Sequence, residues 1–315
     1  MVSTQRDPMY GWVIVAAGAV LMGFGFGGLS SFAVFMKPLS SEFGWGRADI
    51  SMAYTVGALA AAFGGLAFGQ IVDRWSPRPA VLLGALSMGL ALVSLHWLSS
   101  LLHLYVAVAV YGAAGLAACT ITMNATMSRW FLHRRGFAIG VGGAGAALGQ
   151  GLVPYAAQAL VSAVQWRDAY LYLGLMFLAV GLSVAIGVRA SPYSSARLDA
   201  LDASIGAVRV LKPAEAMTWM AVAPIFCCIC MAVPIMHIAP LVSDLGFRAD
   251  QAAGVMAVMM VSGAFGRVIA GRLADGIGAL NTFLVVGLTQ TFFACWFVNI
   301  HDLPSLYAVA VVFGL

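Results

Sequence analysis

Long apolar runs, separated by short polar connections, follow one another from near the N-terminus to the last residue. A run of roughly 20 mostly apolar residues is long enough to cross a bilayer as an α-helix. Nine runs qualify: Trp12–Met36, Ile50–Val72, Ala80–Leu98, Leu104–Ser128, Gly136–Val164, Ala169–Val188, Met217–Ser243, Ala252–Leu273 and Thr282–Val298. A tenth starts near Ser305 and reaches only to Leu315, too short to span. Ala17-Gly18-Ala19 resembles a signal-peptidase site. The first run nevertheless continues far beyond the roughly 7–15 apolar residues of a cleavable signal peptide, so it reads as a retained span. The pattern predicts an all-α polytopic membrane protein.

Composition narrows the function classes. Of 315 residues, 62% are apolar and 9% charged, with a mean hydropathy of +0.95. Soluble domains average about 45–50% apolar and about 25% charged. A soluble enzyme, a nucleic-acid-binding domain and a disordered chain are thereby excluded. The net charge of +4 is too small to argue for a polyanionic partner. Five cysteines, an odd number set in apolar runs, do not form a secreted disulfide framework.

Charge placement predicts orientation, because cytoplasmic connections are enriched in Lys and Arg. With the N-terminus inside, Arg6, Arg74, Arg78, Arg129, Arg134, Arg135, Arg189, Arg197, Arg209, Lys212 and Arg272 are cytoplasmic, while Lys37, Arg47, Arg167 and Arg248 are outside. The remaining basic residue, Arg267, lies within the eighth run. The expected location is the plasma (inner) membrane, with a cytoplasmic N-terminus.

The chain also repeats. Pro38-Leu39, Ser41, Glu42, Gly44 and Trp45 reappear as Pro240-Leu241, Ser243, Asp244, Gly246 and Phe247. After a one-residue slip at Arg47-Ala48-Asp49 against Arg248-Ala249-Asp250, Ala62-Phe63-Gly64, Gly69 and Asp73 match Ala264-Phe265-Gly266, Gly271 and Asp275, a period of 202 residues. The expected organisation is a six-helix half over 1–188, a cytoplasmic linker over 189–216, and an incomplete second half over 217–315. On this logic the twelfth helix would end at about residue 390, so the pattern is truncated within helix ten. Two such halves are a transporter architecture, with the substrate site near the midplane.

These residues resemble the major facilitator superfamily. Gly69-Gln70-Ile71-Val72-Asp73-Arg74, followed by Arg78, is similar to the family's loop between helices two and three, and Gly271-Arg272-Leu273-Ala274-Asp275-Gly276 is its counterpart. The monocarboxylate transporter and oxalate–formate antiporter branch is resembled more narrowly. Its markers here are Tyr10-Gly11-Trp12 and Trp130-Phe131-Leu132-His133-Arg134-Arg135-Gly136-Phe137-Ala138-Ile139-Gly140, continuing to Gly145, Gly149 and Pro154. In the loop, glycine allows close helix approach. Asp73 suits a helix N-terminus, and Arg74 and Arg78 suit Asp73 or lipid headgroups. Its presence in both halves favours a gate built from Gly69, Asp73, Arg74, Arg78, Gly271 and Asp275. A mere topology anchor is the plainer alternative.

All twelve acidic residues lie in connections or at span ends, so Arg267 is the one clearly embedded charge. An arginine at that depth needs an anion, a cavity or a partner; alternatively it is structural and reaches the inner surface. Arg267 stands where the first half has Gly65, with Gly263 and Gly271 on the same helical face. Its planar fork suits a carboxylate. The resemblance implies the same role, since Arg267-x-x-x-Gly271 matches the branch's eighth-helix arginine that binds the substrate carboxylate. Animal proton-coupled members carry an aspartate where this chain has Gly263 and a first-helix lysine where it has Ser30, so that coupling scheme is not carried over.

His237, between Pro234 and Pro240 in the seventh run, suits substrate binding or proton exchange, and equally a hydrogen bond near the outer interface. Asn124 and Gln150 can donate to a carboxylate or hold helices together. His96 and His103 read as solvated. Gly23-x-Gly25-x-x-Gly28 and Gly140-x-Gly142-x-x-Gly145 lack the strand a dinucleotide site requires; Gly65-x-x-x-Gly69 and Gly145-x-x-x-Gly149 read as close helix contacts. Cys227, Cys228 and Cys230 lack a second ligand pair for a metal. The sequence thus predicts a secondary transporter of small organic anions (mono- or dicarboxylates). Arg267, His237, Asn124 and Gln150 are the expected substrate-binding residues, with a coupled proton or counter-anion, lipid contacts, no cofactor, no metal and no nucleic acid. A proton-driven exporter of amphipathic compounds is the alternative. An integral-membrane enzyme would need a polar constellation that the sequence lacks.

Overall fold

The computed structural model describes residues 8–74, 76–193, 241–242, 245–247, 249–296, 300 and 302–315, with 215, 218, 219 and 222; the side chains of 71–74, 249, 250, 252 and 253 lie outside that description. His237 and most of the seventh run and of the linker also fall outside it. Nine helices are used below: α1 Met9–Phe43, α2 Arg47–Arg74, α3 Pro77–Ser94, α4 Leu101–Trp130, α5 Arg135–Ala163, α6 Trp166–Ile186, α7 Ala249–Ile277, α8 Ala279–Trp296 and α9 Leu303–Gly314. Among the described residues, eight are long and apolar enough to cross a membrane, and α9 is shorter. They match the first six, the eighth and the ninth predicted runs.

Local chemistry sets the helix ends. Gly44 closes α1 in a left-handed conformation (φ 68°) and donates its N–H to the Ser40 carbonyl at 3.0 Å. Ser76 is extended ahead of Pro77, the first residue of α3, as the residue before a proline prefers. Asp302 caps α9 by accepting from the Ser305 N–H at 3.0 Å. Two expectations need correction here. Residues 69–74 and Gly271–Gly276 are not loops but the last turns of α2 and α7. The polar residues after Val72 and Leu273 mark the change of solvent, whereas α2 runs on to Arg74 and α7 to Ile277, where Gly278 (φ 89°) follows.

The chain divides into two compact units, Met1–Pro192 and Tyr193–Leu315. Within unit 1, α1 packs along α5, α3 along α6, and α2 along α4. Its core joins Ile14, Leu21 and Phe35 to Met88, Leu92, Tyr111, Met123, Tyr170 and Phe177. Phe35 stacks on Tyr170 (3.7 Å between centroids) and Phe24 on Phe177 (4.3 Å). In unit 2, α7 packs along α9 and α8 flanks both; Val255 and Met259 meet Leu306, Val309, Ala310 and Phe313.

The 202-residue period reappears in atomic detail. Gly44 and Gly246 are both left-handed, with φ of 68° and 84°. The Tyr105 hydroxyl donates to the Asp49 carbonyl (2.9 Å), and the Tyr307 hydroxyl to that of Gln251 (3.5 Å). Gly64 abuts the Ala113 backbone as Gly266 abuts that of Leu315, and Gly112 abuts Gly57 as Gly314 abuts Met259. Each pair is displaced by the same 202 positions.

Glycines also set the α1–α5 contact. Gly145 faces Ala19, and Gly149 and Gly23 face each other backbone to backbone, as the four-residue spacing predicts. Gly65-x-x-x-Gly69 does not behave this way. A Cβ on Gly65 would touch only Ile121, at an ordinary 3.7 Å, and no described atom lies within 4 Å of one on Gly69. The close approach of α2 is made by Gly64, about 100° round the helix.

Candidate functional site

Arg267 lies well inside α7, ten residues before Ile277. It is half-buried and has no hydrogen bond or ion pair with any described residue. The α7 face toward α9 is taken by Ser262 and Gly266. The Ser262 hydroxyl donates within its helix to Val258 O (2.8 Å) and lies 3.4 Å from Ala310 O, and Gly266 leaves no room before Leu315. Arg267, one residue on, is turned about 100° from that face, so its guanidinium is not used for α7–α9 packing. Asp275 and Arg272, farther along α7, are exposed.

In unit 1 the two predicted amides are separated in depth. Gly142 of α5 meets the Met127 side chain of α4, which fixes a common level for these antiparallel neighbours. Counting about 1.5 Å per residue, Asn124 lies about 4.5 Å beyond that level and Gln150 about 12 Å. They are therefore not side by side. Both are half-buried, and neither side-chain amide has a hydrogen-bond partner among the described residues. Inter-helix glue would require one.

At the helix ends, Arg78 is exposed and Gly69 is half-exposed, while the Asp73 and Arg74 side chains lie outside the description. Gly271 is half-buried. Among the described residues, no cluster of three His, Cys, Asp or Glu is placed to hold a metal.

Two networks escaped the sequence reading. At one end of unit 1, Arg167 Nη2 pairs with Glu42 Oε1 (2.7 Å), and Trp166 Nε1 donates to Glu42 Oε2 (2.5 Å). Arg167 Nη1 donates to the carbonyls of His96 (3.1 Å) and Leu98 (2.9 Å), and the guanidinium lies over the Trp166 ring at 4.4 Å. His96 is therefore engaged, not solvated as its position suggested. Its Nδ1 donates to the Arg167 carbonyl (3.2 Å) and lies 3.6 Å from Asp168. The ends of α1, α3 and α6 are tied together by one guanidinium.

At the opposite end, the two branch markers meet. Tyr10 lies against Trp130 (5.5 Å between centroids), and Trp12 meets Phe131 (5.1 Å) and Phe137 (5.8 Å) edge-on. Tyr10 donates to Gly187 O (2.6 Å), Trp130 Nε1 to Arg189 O (3.1 Å), and Arg189 lies over the Tyr10 ring at 4.8 Å. The aromatic residues of both markers thus fasten α1 and α4 to the segment that follows α6.

Comparison with known proteins fits this architecture. The sequence profile of the Major Facilitator Superfamily matches residues 12–315. Monocarboxylate transporter 13 of Bos taurus is 26% identical over 310 residues, covering 98% of this chain and 72% of the relative. Monocarboxylate transporter 11 of Homo sapiens is 29% identical over 325 residues, with 98% and 68% covered. Among solved structures, a double-tryptophan mutant of XylE superposes with a TM-score of 0.65 at 14% identity, over 98% of this chain and 86% of that one. A bacterial homologue of the human lysosomal transporter Spinster, inward-facing and unoccupied, gives 0.59 at 14% identity, over 98% and 75%. At that identity the structures speak for the fold.

Proposed function

The chain belongs to the Major Facilitator Superfamily, an integral multi-pass membrane transporter by its fold, and from that premise we propose that it carries small organic anions, mono- or dicarboxylates, by alternating access. One observation carries this reading. Arg267 is a permanent cation inside an apolar helix, half-buried and with no counter-charge among the described residues. Placing an arginine at the centre of a spanning helix costs about 2.5–3.5 kcal/mol on insertion scales, and an incoming carboxylate offsets that cost. The guanidinium fork suits a carboxylate in two parallel hydrogen bonds. Relatives named as monocarboxylate transporters support the substrate class.

Asn124 and Gln150 supply neutral donors in unit 1, and His237 is the second group for substrate or for a coupled proton. A counter-anion is the other coupling partner consistent with this site. Gly69, Asp73, Arg74 and Arg78, with Gly271 and Asp275, form the gate at the ends of α2 and α7. The basic connections support a cytoplasmic N-terminus and linker, with the protein in the plasma (inner) membrane. The test is uptake of a panel of labelled organic acids by the protein in proteoliposomes. Saturable carboxylate uptake is expected; uptake of amphipathic cations with none of carboxylates would overturn the reading.

A further inference from the structure

α4 is a regular α-helix from Leu101 to Val110 and again from Ala117 to Trp130, but not between. Across Tyr111–Leu116 it widens into one π turn, where the Ala117 N–H donates to the carbonyl of Gly112, five residues back. The contacts with α1 follow the same count. The Tyr111 hydroxyl donates to the carbonyls of Phe24 (2.7 Å) and Gly25 (3.0 Å), and Leu116, five residues on, also abuts Gly25. Met123 and Met127 then meet Gly18. In a regular helix, residues five apart stand about 140° apart and do not share one side. The wide turn brings Tyr111 and Leu116 together on α1, and steps of seven and four carry that side on to Met123 and Met127.

The π turn therefore rotates the second half of α4 by about 100°, the angle of one residue, relative to a regular continuation of the first half. If the turn tightened to an α turn, Met123 would move onto the bearing that Asn124 has now. Asn124 would move onto that of Ala125, and Thr122 onto that of Met123, facing Gly18. Packing does not require the wide turn, because a helix one residue shorter would set Tyr111 and Leu116 four apart, on one side of an ordinary helix. The present rotation also leaves the hydroxyl oxygens of Thr120 and Thr122 enclosed with no hydrogen-bond partner, whereas Thr126 donates to the Thr122 carbonyl at 2.6 Å. The second half is thus not fully satisfied where it stands. Its neighbours meet the π turn through glycine, with Gly25 at Leu116, Gly57 at Gly112 and Gly64 at Ala113, so no side chain from these positions blocks the rotation.

We propose that the π turn is a rotary switch for the second half of α4, latched by the Tyr111 hydroxyl. In the wide form it presents the Asn124 amide, which has no partner among the described residues. In the tightened form Asn124 swings toward Phe68 and Ala118, against which Ala125 now packs, and Met123 takes its place. A polar donor is thereby exchanged for an apolar side chain within unit 1. The effect on transport rests on the reading of Asn124 as a substrate ligand given above; the rotation itself does not.

The test is labelling of the whole protein in proteoliposomes by a small water-soluble thiol reagent, read by mass spectrometry of the α4 peptide. Asn124→Cys and Met123→Cys are each placed in the wild type, in Tyr111→Phe and in a variant lacking Ala114. In the wild type Asn124→Cys should react readily and Met123→Cys slowly. Tyr111→Phe should speed Met123→Cys by about 2- to 12-fold, the weight of one hydrogen bond. Loss of Ala114 leaves a regular helix with no residue to spare, so Met123→Cys should fall silent while Asn124→Cys keeps its rate. The same variant should still bind carboxylate and take it up more slowly. A Met123→Cys rate equal in all three backgrounds, protection of Asn124→Cys in the wild type, or loss of folded protein without Ala114 overturns the switch. Undiminished uptake without Ala114 removes it from transport. A wild type that takes up no carboxylate overturns the organic-anion reading instead, and the labelling rates then decide the switch by themselves.

Discussion

Gly64 lies so close to the carbonyl of Ala113 that no side chain fits between α2 and α4. The same approach recurs 202 residues later between Gly266 and Leu315. Two helices meeting backbone to backbone in each unit fix the crossing from which the neighbouring side chains project. In unit 2 the residue that follows this contact is Arg267; in unit 1 it is Gly65. The duplicated scaffold thus presents a charge in one unit and open space in the other.

Gly64→Val should force α2 away from α4 and cost roughly 1–3 kcal/mol, the usual range for overpacking. Gly65→Val, whose new Cβ meets only Ile121 at 3.7 Å, should cost much less. Thermal aggregation midpoints of the two variants in detergent check the order. Equal midpoints would mean that the crossing does not depend on this glycine.

Arg167 should matter more to the stability of unit 1 than its acidic partner. Arg167→Ala removes hydrogen bonds to two backbone carbonyls besides the contact with Glu42. Each lost bond is worth about 0.5–1.5 kcal/mol. Glu42→Gln keeps an acceptor for Trp166 and removes only a half-exposed ion pair, whose share is small in solvent. Unfolding midpoints should therefore fall clearly for Arg167→Ala and little for Glu42→Gln.

Much of this could be read from the sequence, for identifiable reasons. Helix positions follow from run length, and the Gly145–Gly149 contact follows from a four-residue spacing. Gly64 gave no such sign, because its partner Ala113 is remote in sequence and contributes only backbone. The last turns of α2 and α7 were missed because polar residues at a membrane boundary do not stop a helix. Arg267 stood out as a lone charge in an apolar run. His96 looked solvated because its partner, the Arg167 carbonyl, carries no side-chain signature.

The branch markers near the N-terminus and after α4 have a mechanical role that a single atom tests. Tyr10→Phe keeps the ring against Trp130 and removes the 2.6 Å bond to the Gly187 carbonyl. The expected loss is about 0.5–1.5 kcal/mol, with proteolysis after α6 becoming faster. Unchanged cleavage there would show that Tyr10 does not hold this segment.

Orientation is tested by labelling. An impermeant thiol reagent applied to intact cells should modify Arg47→Cys at once and Arg134→Cys only after permeabilisation. Both residues are exposed, so access alone does not separate them. The reverse pattern would invert the assignment of inside and outside.

Arg267 is the central residue of the proposed anion site, and anion binding to purified, normally folded variants tests its role most directly. Losing a charge-assisted hydrogen bond costs about 1.5–3 kcal/mol, so Arg267→Lys, which keeps the charge without the fork, should bind carboxylate roughly 10- to 150-fold more weakly. Arg267→Gln should be weaker still, with the same amount of folded protein. Unchanged affinity in Arg267→Gln, or full recovery in Arg267→Lys alongside loss of folded Arg267→Gln, would make the residue structural and contradict its role as the carboxylate site.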